Sequence, residues 1–167
     1  FTKVRYITPL PEIIRYYLNF NDSYERLGKL AYKISNGILW DIELSEHYRI
    51  YESLRDSDKR QVLNDLKIKK IDDLNVVFVR SSPYIQTSLF SEEVFNLTNA
   101  DVAIFYGKNG KISIRRNNDK IDCNEIALKL IDGGGHKFAA GGTIQSDPNN
   151  LEDIILEIEQ TIHQVKL

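Results

Sequence analysis

The stretch Gly133-Gly134-Gly135-His136-Lys137-Phe138-Ala139-Ala140-Gly141-Gly142 decides how this chain is read. It follows a segment, Asn124 to Ile131, whose apolar residues recur at helical spacing. Three consecutive glycines at that place can do two things. One can take a left-handed conformation and end the helix. The others let the backbone come close to a neighbour, because no Cβ stands in the way. Successive backbone N–H groups in such a loop can form a nest that holds an anion. His136 adds a side chain able to donate a hydrogen bond or, when charged, to pair with a phosphate. Ala139 and Ala140 are small enough for a strand or a flat base to pack close. On the glycines alone, a tight helix-to-strand turn with a satisfied histidine is the commoner reading. The run is no Walker loop, since no Gly-Lys-Ser/Thr follows, and no dinucleotide fingerprint, since it follows a helix rather than opening one.

Upstream, Lys111-Ile112-Ser113-Ile114-Arg115-Arg116 alternates polar and apolar, the pattern of a strand with one exposed face carrying Lys111, Ser113 and Arg115. Arg115 can grip a phosphate with two parallel hydrogen bonds. A solvated strand edge guarded by charge is the alternative. The turn Gly107-Lys108-Asn109-Gly110 precedes this strand. Before it, Val102-Ala103-Ile104-Phe105-Tyr106 and Val76-Val77-Phe78-Val79 read as buried strands. Pro83 ends the earlier of these, and a helix is expected near Ser91 to Leu97. Downstream, Gly142-Thr143-Ile144-Gln145 reads as a fourth strand. Asp147 or Asn150 then caps a last helix along Leu151, Ile154, Ile155, Ile158, Ile162 and Val165. The expectation is an α/β fold: a small mixed β-sheet flanked by helices, preceded by a helical connector.

The connector is expected over residues 1–70 and the α/β domain over 71–167, with Lys67 to Lys70 as the boundary. Ile13, Ile14, Tyr17 and Leu18 mark a first helix. A second, capped by Asp22 or Ser23, stops at Gly37. A third is expected around Leu44 to Leu54, and a fourth begins at Asp56 or Ser57. Trp40, Tyr48 and Tyr51 either pack this region or stack on bases of a single strand.

The composition, 42% hydrophobic and 28% charged, argues against disorder. The charge is unevenly placed: net +3 up to Lys70 and net −5 from Ile71 onward. Within the acidic part, Lys108, Lys111, Arg115, Arg116 and Lys120 crowd together, which fits a small anionic group better than a long duplex. The single cysteine, Cys123, allows no internal disulfide, so an intracellular, cytoplasmic setting is expected. No apolar run is long enough to span a bilayer, and no membrane partner is expected. The chain starts at Phe1 without any methionine and is read as a fragment.

The pattern Gly-Gly-Gly-His-x-x-Ala-Ala-Gly, with Ser113-Ile114-Arg115 on a hairpin strand and Asn124-Glu125-Ile126-Ala127 opening a short helix between them, resembles the DHH-associated domain of the RecJ/oligoribonuclease branch of the DHH phosphoesterases. The resemblance runs from about Asn75 to Leu167. It departs at Arg115-Arg116, where the family usually has Arg-Ser. The resemblance implies a phosphate- and end-gripping site made of Ser113, Arg115, Arg116, Gly133, Gly134, Gly135, His136, Ala139 and Ala140. It implies that catalysis belongs to a separate DHH domain holding two manganese ions. This chain has no Asp-His-His, so no catalytic residue, metal or cofactor is expected in it, and alone it is expected to be inactive. His47, near Asp41, Glu43 and Glu46, and His163 read as residues of solvated helix faces. The implied partners are single-stranded nucleic acid or a nucleotide, and a DHH domain upstream in the parent chain. The alternative is a non-catalytic scaffold resembling the RecJ-like proteins of archaeal replication complexes that bind GINS. An editing relative of the alanyl-tRNA synthetase type is a further reading.

Overall fold

The computed structural model describes residues 9–166. The chain divides into two compact units, residues 1–59 and 60–167. The first is helical. Its helices are α1 (Leu10–Tyr17), α2 (Ser23–Ser35) and most of α3 (Ile42–Asn64). α1 and α2 form as the apolar spacing predicts. Asp22 stands at the start of α2, yet its carboxylate makes no cap hydrogen bond and instead meets Arg26 at 2.7 Å. The expected third and fourth helices are one continuous helix. No glycine or proline interrupts Leu54 to Asp58, so Asp56 and Ser57 lie inside α3 rather than capping a new one. Asp41 caps α3, accepting from the Leu44 amide at 2.9 Å, and the Lys33 ammonium bridges Asp41 and Glu43.

The second unit is built on a six-stranded sheet in the order β1-β2-β3-β4-β6-β5. Its strands are β1 (Lys67–Ile71), β2 (Leu74–Arg80), β3 (Val102–Tyr106), β4 (Lys111–Arg116), β5 (Ile131–His136) and β6 (Ala139–Thr143). Only β2 and β3 run parallel, joined through α4 (Thr87–Thr98); every other pair is antiparallel. α5 (Cys123–Ala127) lies between β4 and β5, and α6 (Leu151–Lys166) closes the unit.

Two strands were not foreseen. Lys67 to Lys70, expected as the joint between the regions, are strand residues paired to β2 through a two-residue turn at Asp72-Asp73. Their charged, exposed character is that of a sheet edge. The glycine run, expected as a loop, is the opposite edge strand, β5. Accordingly α5 stops at Ala127, short of Ile131, and the strand expected at Gly142–Gln145 begins at Ala139.

Alternation along the central strands makes two cores. Val76, Phe78, Val102, Ile104, Ile112, Ile114 and Ala140 face α5 and α6, meeting Ile126, Ile154, Ile158 and Ile162. Val77, Val79, Ala103 and Phe105 face the other way, where Phe90, Val94 and Phe95 of α4 and Val62 cover them. Each fully buried aliphatic or aromatic side chain contributes about 1.5–3 kcal/mol. α4 covers β2 and β3, and on that side the face of β4, β6 and β5 carries no residue of either core cluster.

Asp101, 5% exposed, ties the start of β3 to its surroundings. It accepts from the Asn75 amide at 2.8 Å and from Asn118 at 2.6 Å, and meets the Lys120 ammonium at 2.8 Å. Burial pushes its carboxyl up, but these partners outweigh burial and hold it below its ordinary value. Its stabilisation is therefore present above the unfolded carboxylate value, about 3.9, and is lost as pH falls through the depressed folded value. Asp101→Ala is expected to cost about 2–3 kcal/mol in urea unfolding at neutral pH, with the gap to the parent protein closing in acid. A gap that does not change with pH would contradict this account.

Candidate phosphate-gripping face

Cross-strand register sets the candidate residues in rows. Arg115 of β4 stands opposite Ala139 of β6, which stands opposite His136 of β5. In the next row Ser113 faces Gly141, and Gly141 faces Gly134. Directly opposed residues share a face. Toward the middle of the sheet the same rows continue into Ala103 and Phe105. Ser113, Arg115, Ala139, Gly134 and His136 therefore share the sheet face that α4 covers only in part. His136 is exposed, and Ser113 and Arg115 are half-buried.

The glycines serve different ends. Asp132, not a glycine, takes the left-handed conformation, at φ 48°, within a β-bulge that shifts the register between Ile131 and Gly134. Gly133 lies against α5, where a Cβ would come 1.7 Å from the Ala127 carbonyl oxygen. Gly135, at φ 147°, lies over Ala140, whose Cα is 2.6 Å from where its Cβ would stand. Gly134 alone of the three has open space where its side chain would be.

Four expected site residues do not stand on the open face. Ala140 belongs to the core face, and Gly133 and Gly135 press on α5 and β6 as described. Arg116, one residue out of phase with Arg115, lies on the core side opposite Val102. Its guanidinium donates to the Ile121 carbonyl at 2.9 Å and to Asp119 at 2.5 Å, and sits 4.6 Å from the centre of the Phe138 ring. Its side chain is only 7% exposed, so it holds the β5–β6 hairpin instead of facing a ligand. The basic cluster expected from sequence also disperses. Lys120 is paired with Asp101, while Lys108 and Lys111 lie at the other end of β4 from Arg116. Arg115 keeps only a hydrogen bond to the Ile114 carbonyl, 2.9 Å, and has no carboxylate partner among the described residues.

Sequence reasoning missed Gly141, which stands opposite Ser113 and where a Cβ would come 2.6 Å from the Ile112 carbonyl oxygen. The signal was the two-residue alternation Ala139, Gly141, Thr143, hidden because the strand was expected to start later.

The donor set does not suit a metal. Among the described residues no group of three or more His, Cys, Asp and Glu converges. His47 Nδ1 lies 2.8 Å from the Tyr17 hydroxyl, and exposed His163 pairs with Asp72 at 3.2 Å. Cys123 is fully buried, and burial pushes its thiol up to about 11. Trp40 packs edge-on to Tyr48, which stacks on buried Tyr51. No described helix is long and apolar enough to cross a membrane.

Comparison with known proteins agrees with this architecture. None of the curated proteins matches the chain significantly. Among solved structures, an exopolyphosphatase-related protein from Bacteroides fragilis is similar with a TM-score of 0.52 at 22% identity, over 89% of this chain and 44% of that one. The pGpG-specific phosphodiesterase PggH from Vibrio cholerae is similar with a TM-score of 0.58 at 17% identity, over 94% of this chain and 58% of that one. At such identities the likeness is one of fold, and the chain spans only about half of each. The DHHA1 domain model matches residues 86–164, from α4 into α6, a narrower span than the Asn75 to Leu167 expected from sequence. The glycine strand, the Ser113-x-Arg115 strand and the helix between them all lie inside that span, and over residues 86–164 the chain is similar to the DHHA1 domain family.

Proposed function

We propose that the face formed by Ser113, Arg115, Gly134, Ala139 and His136 grips the phosphate and end nucleotide of a nucleotide or single-stranded nucleic acid. In this reading the chain is the substrate-holding part of a phosphodiesterase of the DHH family. Hydrolysis, with manganese as the metal, belongs to a DHH domain outside these residues. The single observation that carries the reading is the register row Arg115–Ala139–His136, which puts a guanidinium without a carboxylate partner and an exposed imidazole on one face, separated by one small residue. Arg115 supplies a planar pair of donors for phosphate oxygens, and His136 a further donor. Ala139, Gly141 and Gly134 leave the surface between them flat enough for a sugar or base. The DHHA1 match supports the reading, as do the names of the two structural relatives, one exopolyphosphatase-related and the other a pGpG-specific phosphodiesterase.

The test is titration calorimetry of the whole chain with AMP, pGpG and a short 5′-phosphorylated single strand. Arg115→Ala combined with His136→Ala is expected to weaken binding about 100-fold or more, since each charge-assisted hydrogen bond is worth roughly 1.5–3 kcal/mol. Unchanged affinity in the folded double variant overturns the site. A folded parent chain that binds none of the three ligands favours the scaffold reading, in which a GINS-type replication subunit would be the partner.

A further inference from the structure

The face shared by Ser113, Arg115 and His136 does not end at the row of Ser113, Gly141 and Gly134. The register continues into a third row, in which Lys111 of β4 stands opposite Thr143 of β6, and Thr143 opposite Ile131 of β5. Alternate residues of a strand share a face, so Lys111 lies on the side of Ser113 and Arg115, and Thr143 on the side of Ala139 and Gly141. Gly142, between Gly141 and Thr143, turns the other way, where a Cβ would meet the Leu130 side chain at 2.9 Å. Lys111 is exposed and Thr143 half-buried. The polar side chains of the three rows, Lys111, Ser113, Arg115, Thr143 and His136, can all donate hydrogen bonds. Neither Lys111 nor Arg115 has a carboxylate partner, and the Ser113 and Thr143 hydroxyls have no hydrogen-bond partner, among the described residues. β4 and β6 contain no acid; the one acid of the three strands, Asp132, sits in the bulge of β5 and pairs with neither cation. At a rise of about 3.3 Å per residue, Lys111 and Arg115 are rooted roughly 13 Å apart along β4. The Arg115 guanidinium donates to the neighbouring Ile114 carbonyl at 2.9 Å, which keeps it at its own end of the strand.

We propose that Lys111 and Thr143 form a second phosphate subsite on this face, so that the grip is built for a chain of two or more nucleotides rather than for a mononucleotide. The inference rests on the phosphate grip at Arg115 and His136. Those two hold the end phosphate, the first sugar crosses the bare middle row beside Ser113, and the next phosphodiester meets the Lys111 ammonium and the Thr143 hydroxyl. The planar fork of arginine suits a terminal phosphate with several free oxygens, and the flexible point charge of lysine suits an internal phosphodiester with one charge. A row of donors without an acid beside them selects negative charge repeated along the strand direction.

The experiment is titration calorimetry of the full chain with AMP and with the 5′-phosphorylated dinucleotide pApA, on the parent, Lys111→Gln and Thr143→Val. The parent is expected to bind pApA about tenfold more tightly than AMP. Lys111→Gln should remove that advantage, weakening pApA about tenfold and AMP by less than about twofold. Thr143→Val keeps a β-branched side chain in the strand and removes the hydroxyl; it should weaken pApA about threefold and leave AMP unchanged. Both variants should keep the parent's thermal midpoint, since neither side chain makes a hydrogen bond or ion pair among the described residues. The inference is overturned if pApA binds no more tightly than AMP, or if Lys111→Gln leaves pApA binding unchanged. It is equally overturned if Lys111→Gln weakens AMP as much as pApA, because Lys111 would then serve the first phosphate. Failure of the grip itself reads differently: both ligands then bind undiminished to the Arg115→Ala, His136→Ala double variant, which overturns the grip and this subsite with it.

Discussion

Gly133→Ala is expected to remove the folded state of the second unit. The added Cβ would lie 1.7 Å from the Ala127 carbonyl oxygen and 2.6 Å from its carbon, with the Leu130 carbonyl oxygen at 3.3 Å. These are backbone atoms, so no side chain can swing aside. The Ala127 carbonyl also accepts the Leu130 amide at 2.9 Å, the bond that closes α5. Relief requires α5 to move away from β5, and α5 carries Cys123, Ile126 and Ala127 into the core under the sheet. The amide of Cys123 is tied to the Lys137 carbonyl at 3.0 Å, so the β5–β6 hairpin would be pulled as well. Overpacking a core with one methylene costs about 1–3 kcal/mol; displacing a backbone element with its buried side chains puts this change at about 4 kcal/mol or more. Against a total stability of about 5–15 kcal/mol, the transition in thermal or urea unfolding should collapse or vanish. A loss below about 1 kcal/mol would mean that α5 does not rest on Gly133.

Gly134→Val, one position on, should have the opposite signature: a kept fold and a lost ligand. No atom stands within 4 Å of the place for its Cβ, and the residue lies in a strand, where valine is favoured. The unfolding midpoint should therefore stay level or rise slightly. The new isopropyl group would stand on the open face, over Gly141 and toward Ser113, where the proposed grip needs a flat surface. Affinity for AMP or pGpG is expected to fall about 100-fold by calorimetry, the steric cost of a few kcal/mol in a close contact. Full binding by a folded Gly134→Val chain would remove β5 from the ligand surface. The two substitutions form a pair: adjacent glycines, one pressed against α5 and the other with open space beside it, proposed to serve ligand access.

Much of the second unit was legible from local pattern. The runs at Val76–Val79 and Val102–Tyr106 and the alternation at Lys111–Arg116 became β2, β3 and β4 because β-branched and aromatic residues suit a half- or fully buried pleat. The turn at Asn109-Gly110 formed as read, with Gly110 at φ 76° donating to the Gly107 carbonyl. Ile154, Ile158 and Ile162 reached the core from one face of α6, as their spacing implied. β1 was illegible because Lys67, Lys69 and Lys70 show the composition of a surface segment, and only pairing with β2 makes them a strand.

The sequence by itself determined that three glycines, a histidine and two small alanines stand together after a short helix and a Ser-x-Arg strand. That was enough to place β4 and the short helix after it and to bring out the resemblance to the DHH-associated domain, because both rest on local spacing. Tertiary structure alone decided which of those residues act together. The run is a strand, and its register against β6, and of β6 against β4, sets Gly134 and His136 on the face of Ser113 and Arg115 while Gly133, Gly135 and Ala140 turn to α5 and the core. A one-residue shift moves every side chain of a strand to the other face, and the bulge at Asp132 makes such a shift. The same phase separates Arg115 from Arg116: neighbours in sequence, one lies toward the candidate ligand and the other is spent on Ile121, Asp119 and Phe138.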